Sequence, residues 1–275
     1  MKKDEIIKII TTCAKEYKKN LENKNLFFIF EYKQRVGYFE TVFLPRNFLH
    51  LTGIEINGSI KSTDFYELCL RNQLSPSAFE TTPNGTTDMK LSILPQLMKI
   101  HKTAKMIGEY DFSKSFLVTE KIAGNVTACL GFIRDGDYYI PNTALKEDIR
   151  NITAKPQQRV IAIFRKDKEE VKYSLLCYTA KGVQFENLRL PNEISEKIDF
   201  NNITFGFPAS NTSQLLTETH KASMSELLSA HEEAAATSNA PTSIALRIKK
   251  AKDIQMQKQP RTQARDKAPD HRLEG

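Results

Sequence analysis

Six short apolar runs, at 116–119, 126–133, 138–140, 160–164, 173–178 and 183–185, are separated by turn-forming residues. Runs of this length, rich in β-branched and aromatic side chains, predict strands and exclude a purely helical fold for this half of the chain. Arg134-Asp135-Gly136-Asp137 lies between two of the runs, and an Asp-Gly pair there predicts a tight hairpin with antiparallel neighbours. Upstream, 26–32 and 38–44 form a second pair of strand-like runs, with 33–37 predicted as their turn.

The N-terminal part has a different period. Ile6, Ile10, Cys13, Tyr17 and Leu21 recur at three- and four-residue spacing with lysines on the other faces, which predicts an amphipathic helix near 3–22. Asp64 and Glu67 open a short helix striped by Phe65, Leu68 and Cys69. Leu91, Leu94, Met98 and Ala104 predict another over 89–106, in which Pro95 marks a first turn or a kink. The fold class is therefore α+β, in a domain spanning 1–205. Residues 206–275 are predicted to be a flexible, basic tail, because few apolar side chains are available there to offset the entropy of ordering. Within it, 217–236 reads as a transient helix and 244–250 as a docking peptide or a solvated run.

The net charge of +7 favours an acidic partner. From Ala234 to Gly275, however, nine basic and four acidic residues supply five of those seven charges. The folded part is nearly balanced, so a polyanion footprint must come from local clustering. Cys13, Cys69, Cys129 and Cys177 are scattered, without zinc spacing, and read as buried hydrophobes in a reducing cytoplasm. No secretory signal and no membrane span is expected.

The sequence offers no phosphate-cradling glycine loop, dinucleotide fingerprint, zinc helix or EF-hand loop, so neither a metal nor a cofactor is predicted. Glu170-Val171-Lys172 matches the end of a metal-dependent nuclease core, but its charged surroundings from Lys166 read more simply as a hairpin loop. The working groups that remain are His, Lys, Arg, Asn and Thr. Arg46-Asn47-Phe48-Leu49-His50-Leu51-Thr52-Gly53-Ile54 places one imidazole in an apolar run. His50 is either a core histidine bonded to its own fold or a proton-transfer group tuned by its surroundings. RNA cleavage can be run with such a set, since the substrate's 2′-hydroxyl is the nucleophile and cations stabilise the phosphorane.

Phe48-Leu49-His50-Leu51-Thr52-Gly53-Ile54, Asp64-Phe65-Tyr66-Glu67-Leu68-Cys69-Leu70, Met106-Ile107-Gly108, Leu130-Gly131-Phe132 and the stretch from Pro141-Asn142-Thr143 to Asp148-Ile149-Arg150 occur in a telling order. Over roughly residues 5–190 the chain resembles the fourth subgroup of the phage-associated Barnase-EndoU-colicin-RelE-like nuclease domains. The resemblance implies N-terminal helices packed on a twisted antiparallel sheet, and RNA cleavage in a phage or mobile element. It implies that His50, Arg150, Asn142 and Thr143 are catalytic and that Lys90 binds substrate; Arg46 and Thr52, in the same segment as His50, are expected to bind substrate as well. Each has a plainer reading: Asn142 and Thr52 as turn formers, Arg150 as a surface ion-pair partner, Lys90 as a solvated helix-start lysine. The expected activity is a metal-independent, toxin-like ribonuclease, with RNA and an inhibitor or immunity protein as partners. The alternative is a catalytically inactive RNA- or protein-binding module, and convergence of His50, Asn142 and Arg150 on one concavity would discriminate the two.

Overall fold

A computed structural model describes residues 1–33, 35–58, 60–114 and 117–206 and is α+β. Along the chain come α1 (Lys3–Asn20), β1 (Lys24–Tyr32), β2 (Arg35–Phe43), α2 (Phe48–Thr52), β3 (Ile54–Ile56), α3 (Ser62–Leu70), β4 (Phe79–Thr81), α4 (Thr86–Leu97) and α5 (Ile100–Thr103). Then follow β5 (Met106–Glu109), β6 (Lys121–Gly124), β7 (Cys129–Asp135), β8 (Tyr138–Leu145), α6 (Ile149–Ile152), β9 (Gln158–Asp167), β10 (Leu175–Thr179), α7 (Asn192–Ser195) and β11 (Thr204–Phe205).

The expectation of a twisted antiparallel sheet needs a correction, because the sheet closes on itself. Strands run in the order β1-β2-β8-β7-β6-β5-β9, and β9 pairs back onto β1, giving a barrel-like ring of seven. Six of its joints are antiparallel; β2 and β8 meet in parallel, through the single register pair Thr41↔Tyr139. β10 and β11 continue outward from β9, while β3 and β4 pair apart from the ring.

Both predicted hairpins form. The β7–β8 turn is the Asp-Gly one, with Asp135 opposite Tyr138 and Gly136 at φ +64°. The β1–β2 turn is shorter than expected, since Tyr32 already pairs with Arg35. Gly37 is therefore not a turn residue: it lies in β2, where a Cβ would stand 2.8 Å from the Phe30 ring. Other corrections are local. The helix expected over 89–106 is divided into α4 and α5 and gives way to β5, with Pro95 late in α4. The described residues 117–119 are not a strand, and 183–185 leads into a 3-10 turn, Phe185–Asn187. β5 and β6 escape sequence reading because each is only four residues long. The predicted tail, including 217–236 and 244–250, lies outside the described residues.

The main core joins ring and helices. Ile6, Ile10 and Tyr17 of α1, Phe48 and Leu51 of α2 and Phe65 of α3 pack with Phe28, Phe39, Phe43, Leu130, Phe132 and Ala144 of the strands. A second cluster covers the outer face of β1 and β9, where Phe27, Ile29 and Phe164 meet Phe185, Ile194 and Ile198. A third holds Tyr110, Ile122, Cys129 and Ile149 beneath α6. All four cysteines are buried; burial first pushes Cys13, Cys69 and Cys129 up to about 12 and Cys177 to about 11, so their thiols stay protonated at neutral pH.

Candidate active site

Residues 45–52 form a continuous turn of helix whose two faces differ. Asn47, Phe48, Leu51 and Thr52 are buried, while Arg46 and His50, four residues apart and hence on one face, are exposed. The apolar neighbours of His50 thus anchor the segment and leave the imidazole outside. Asn47 Oδ1 accepts from the Leu44 amide (3.0 Å), and Thr52 Oγ1 donates to the Leu49 carbonyl (2.7 Å). Thr52 is fully buried, with its hydroxyl committed to the helix end.

Gly53 ends α2 in the left-handed region, at φ +69°. A Cβ there would lie 2.8 Å from Lys90 Cδ, so glycine both permits the turn and admits the lysine stem arriving from α4. Lys90 Nζ donates to the His50 carbonyl (2.9 Å). Burial holds the ammonium pKa below its ordinary value. His50 is shifted the same way, first by partial loss of solvent and then by the Lys90 charge. At neutral pH the imidazole is a free base beside a cation. On the same face, Arg46 pairs with Asp135 at the tip of the β7–β8 hairpin (2.7 Å).

The other predicted residues lie elsewhere. Gly131 pairs with Thr143 and Phe132 with Pro141, which makes Asn142 the extra residue of a β-bulge. Leu130 and Phe132 face the core shared with α2, so Gly131 and its partner Thr143 face away from it. Thr143 packs there against Gly131, whose Cβ position is 2.7 Å from Thr143 Cγ2 and 2.6 Å from Thr119 Oγ1. Asn142 Nδ2 donates to the Val118 carbonyl, and its Oδ1 is buried without a hydrogen bond among the described residues. Arg150 clasps Asp148 through Nε (3.0 Å) and Nη2 (2.5 Å) on α6, which packs against β5 and β6. α2 packs instead against β8, α3 and α4. The structure brings His50, Lys90 and Arg46 together and places Asn142, Thr143 and Arg150 on the outer side of the sheet.

Sequence reasoning passed over a cleft of about 330 Å³ where β2 and β8 splay apart, with Tyr38, Glu40, Arg134, Tyr138, Tyr139 and Lys197 among its lining. These come from three separate segments, and no spacing signal links them. Among the described residues, no group of three or more His, Cys, Asp or Glu side chains is placed to hold a metal ion, and no helix is long and apolar enough to cross a membrane.

The profile of the phage-Barnase-EndoU-ColicinE5/D-RelE like nuclease 4 family matches residues 9–182. The chain belongs to this family. The family match reaches from α1 to the end of β10 and includes the His50 turn, both predicted hairpins and the closed ring. It makes a nuclease-type domain of phage-like origin the frame for the site. No curated protein and no solved structure matches the chain.

Proposed function

We propose that this nuclease-family domain cleaves RNA without a metal ion, in a toxin-like role, with His50 as its acid–base group and Lys90 and Arg46 as ligands of the scissile phosphate. The observation carrying the reading is the contact of Lys90 with α2 at Gly53, which sets an unprotonated, solvent-reachable imidazole next to a cation. His50 takes the proton of the 2′-hydroxyl as that oxygen bonds to phosphorus. The bond to the 5′-oxygen breaks, and this leaving group takes a proton from water. The products are a 2′,3′-cyclic phosphate and a 5′-hydroxyl end. Lys90 keeps two ammonium protons beyond its bond to the His50 carbonyl, enough to meet a phosphorane oxygen.

Single-turnover cleavage of RNA by His50→Gln is expected to fall about 10²- to 10⁴-fold while its denaturant melt stays close to wild type. Because the pKa of His50 lies below the ordinary imidazole value, the acid limb of the wild-type pH–rate profile should fall below pH ~6.5, and the variant should lack it. Cleavage should persist in excess chelator. A fully active variant removes His50 from the chemistry, and activity restored only by magnesium revives the Glu170/Lys172 alternative.

A second reading, a catalytically inactive RNA- or protein-binding module, is favoured by the separation of Asn142, Thr143 and Arg150 from His50. Wild-type protein that binds RNA but leaves every strand intact would select it.

A further inference from the structure

The cleft between β2 and β8 has a structural cause. Thr41↔Tyr139 is the only register pair of this parallel joint, reinforced by Thr41 Oγ1 donating to the Tyr139 carbonyl (2.6 Å). Before that point the strands separate, and side chains of Tyr38 and Glu40 on one side and Tyr138 on the other line the gap. Its volume of about 330 Å³ falls at the lower end of the roughly 300–1,000 Å³ usual for small-ligand sites.

The lining couples aromatic rings to cations. Lys121 and Arg134 lie 5.6 and 5.9 Å from the centre of the Tyr139 ring, and Lys197 lies 5.6 Å from that of Tyr38. Phe27 also packs on Tyr38 and Phe39 on Tyr139. Tyr138, half-buried, interacts electrostatically with Lys197 and Tyr173, but among the described residues no ring stacks on it and no cation lies over it, so its face is the one left for a planar guest. Glu40 is already satisfied: Tyr173 Oη donates to one oxygen (2.6 Å) and Lys197 Nζ to the other (2.9 Å). Lys121 is paired with Glu109. Arg134 Nε donates to the Gly136 carbonyl (3.2 Å) and its backbone amide to Glu120 Oε1 (3.2 Å); among the described residues its guanidinium forms no ion pair, which leaves the terminal nitrogens for an anion. With Glu40 and Asp137 also lining the cleft, the local charge is only slightly positive. Such a balance suits one stacked base with one phosphate better than a long run of phosphates.

We infer that this cleft is a nucleotide-binding subsite for single-stranded RNA, taking a base against Tyr138 and the adjoining phosphate at Arg134. The inference rests on the reading of this domain as acting on RNA. Arg46, on the turn that carries His50, pairs with Asp135, which is next to Arg134 in the chain and opposite Tyr138 across the hairpin. A strand leaving the cleft past Arg46 would run toward the His50 turn.

The test uses the full chain and a 2′-fluoro RNA hexamer, which lacks the nucleophile and so reports binding whether or not the protein cleaves. Measured by fluorescence anisotropy, Tyr138→Ala should weaken binding about 5- to 100-fold. Tyr138→Phe should stay within about two-fold of wild type, because the stacking face is kept. Arg134→Gln should weaken binding and lower the salt slope by about one. Wild-type affinity in both Tyr138→Ala and Arg134→Gln overturns the subsite, as does a hexamer that does not bind wild type. A polyglutamate peptide that competes as well as RNA reduces the cleft to a simple cationic surface and also overturns it. If a variant fails to fold, a 4-thiouridine hexamer crosslinked to wild-type protein decides: adducts on peptides bearing Tyr38 or Tyr138 support the subsite, and adducts confined elsewhere refute it. Binding without cleavage of natural RNA would sink the ribonuclease reading alone, whereas cleavage with a silent cleft would sink only this one.

Discussion

His50 and His101 occupy the two opposite environments open to a histidine. The apolar run around His50 admits a core histidine, yet Phe48, Leu51 and Thr52 share the buried face of a short helix and the imidazole between them turns outward. His101, flanked by Ile100 and Lys102, is the buried one, 2% exposed, with no hydrogen-bond partner at Nδ1 among the described residues. Burial, then the charges of Arg165 and Lys102, push its pKa down to about 3. Folding therefore favours the neutral ring, and the unfolded chain binds the extra proton. The stabilisation is complete above pH ~6.5 and is lost as pH falls from there toward 3. His101→Phe should accordingly flatten the pH dependence of stability, and denaturant melts at pH 7 and pH 5 would show it. A variant that loses as much stability as wild type between these two values would refute the assignment.

At the scale of elements, the β7–β8 hairpin separates the predicted site residues. Its Asp-Gly turn is legible in sequence; the bulge at Asn142 is not, because one extra residue on one strand leaves no compositional mark. The bulge lies opposite Gly131, where Thr119 and Thr143 close over the missing side chain. Gly131→Ala would bring a methyl to 2.6 Å from Thr119 Oγ1 and 2.7 Å from Thr143 Cγ2, an overpacking expected to cost roughly 1–3 kcal/mol. Since this face is turned away from α2, the folded fraction should cleave RNA at the wild-type rate. A melt and a single-turnover assay on one preparation would check both halves, and a stable but inactive variant would return Thr143 and Asn142 to the chemistry.

The whole molecule closes its ring with help from residues beyond the family match. That match ends at 182, but Phe185, Ile194 and Ile198 cover the outer face of β1 and β9, and Lys197 bonds to Glu40. Burying three such side chains is worth roughly 5–9 kcal/mol, comparable with the entire stability of a typical domain. A chain ending at Gly182 should therefore lose cooperative unfolding, whereas one ending at Gly206 should melt as one transition; calorimetry of the two decides. Sequence alone determined the α+β class, the amphipathic α1, both hairpins and the burial of the cysteines, because periodicity and turn chemistry act over a few neighbouring residues. It also singled out His50, Lys90 and Arg46, though as part of a larger set. Tertiary structure decided the rest. Ring closure, the parallel β2–β8 joint and its cleft, and the division of the candidate residues between the α2 side of the sheet and its outer side arise from pairings between segments up to more than a hundred residues apart. Local propensity carries no record of such pairings, since the free energy that selects them comes from the core they enclose.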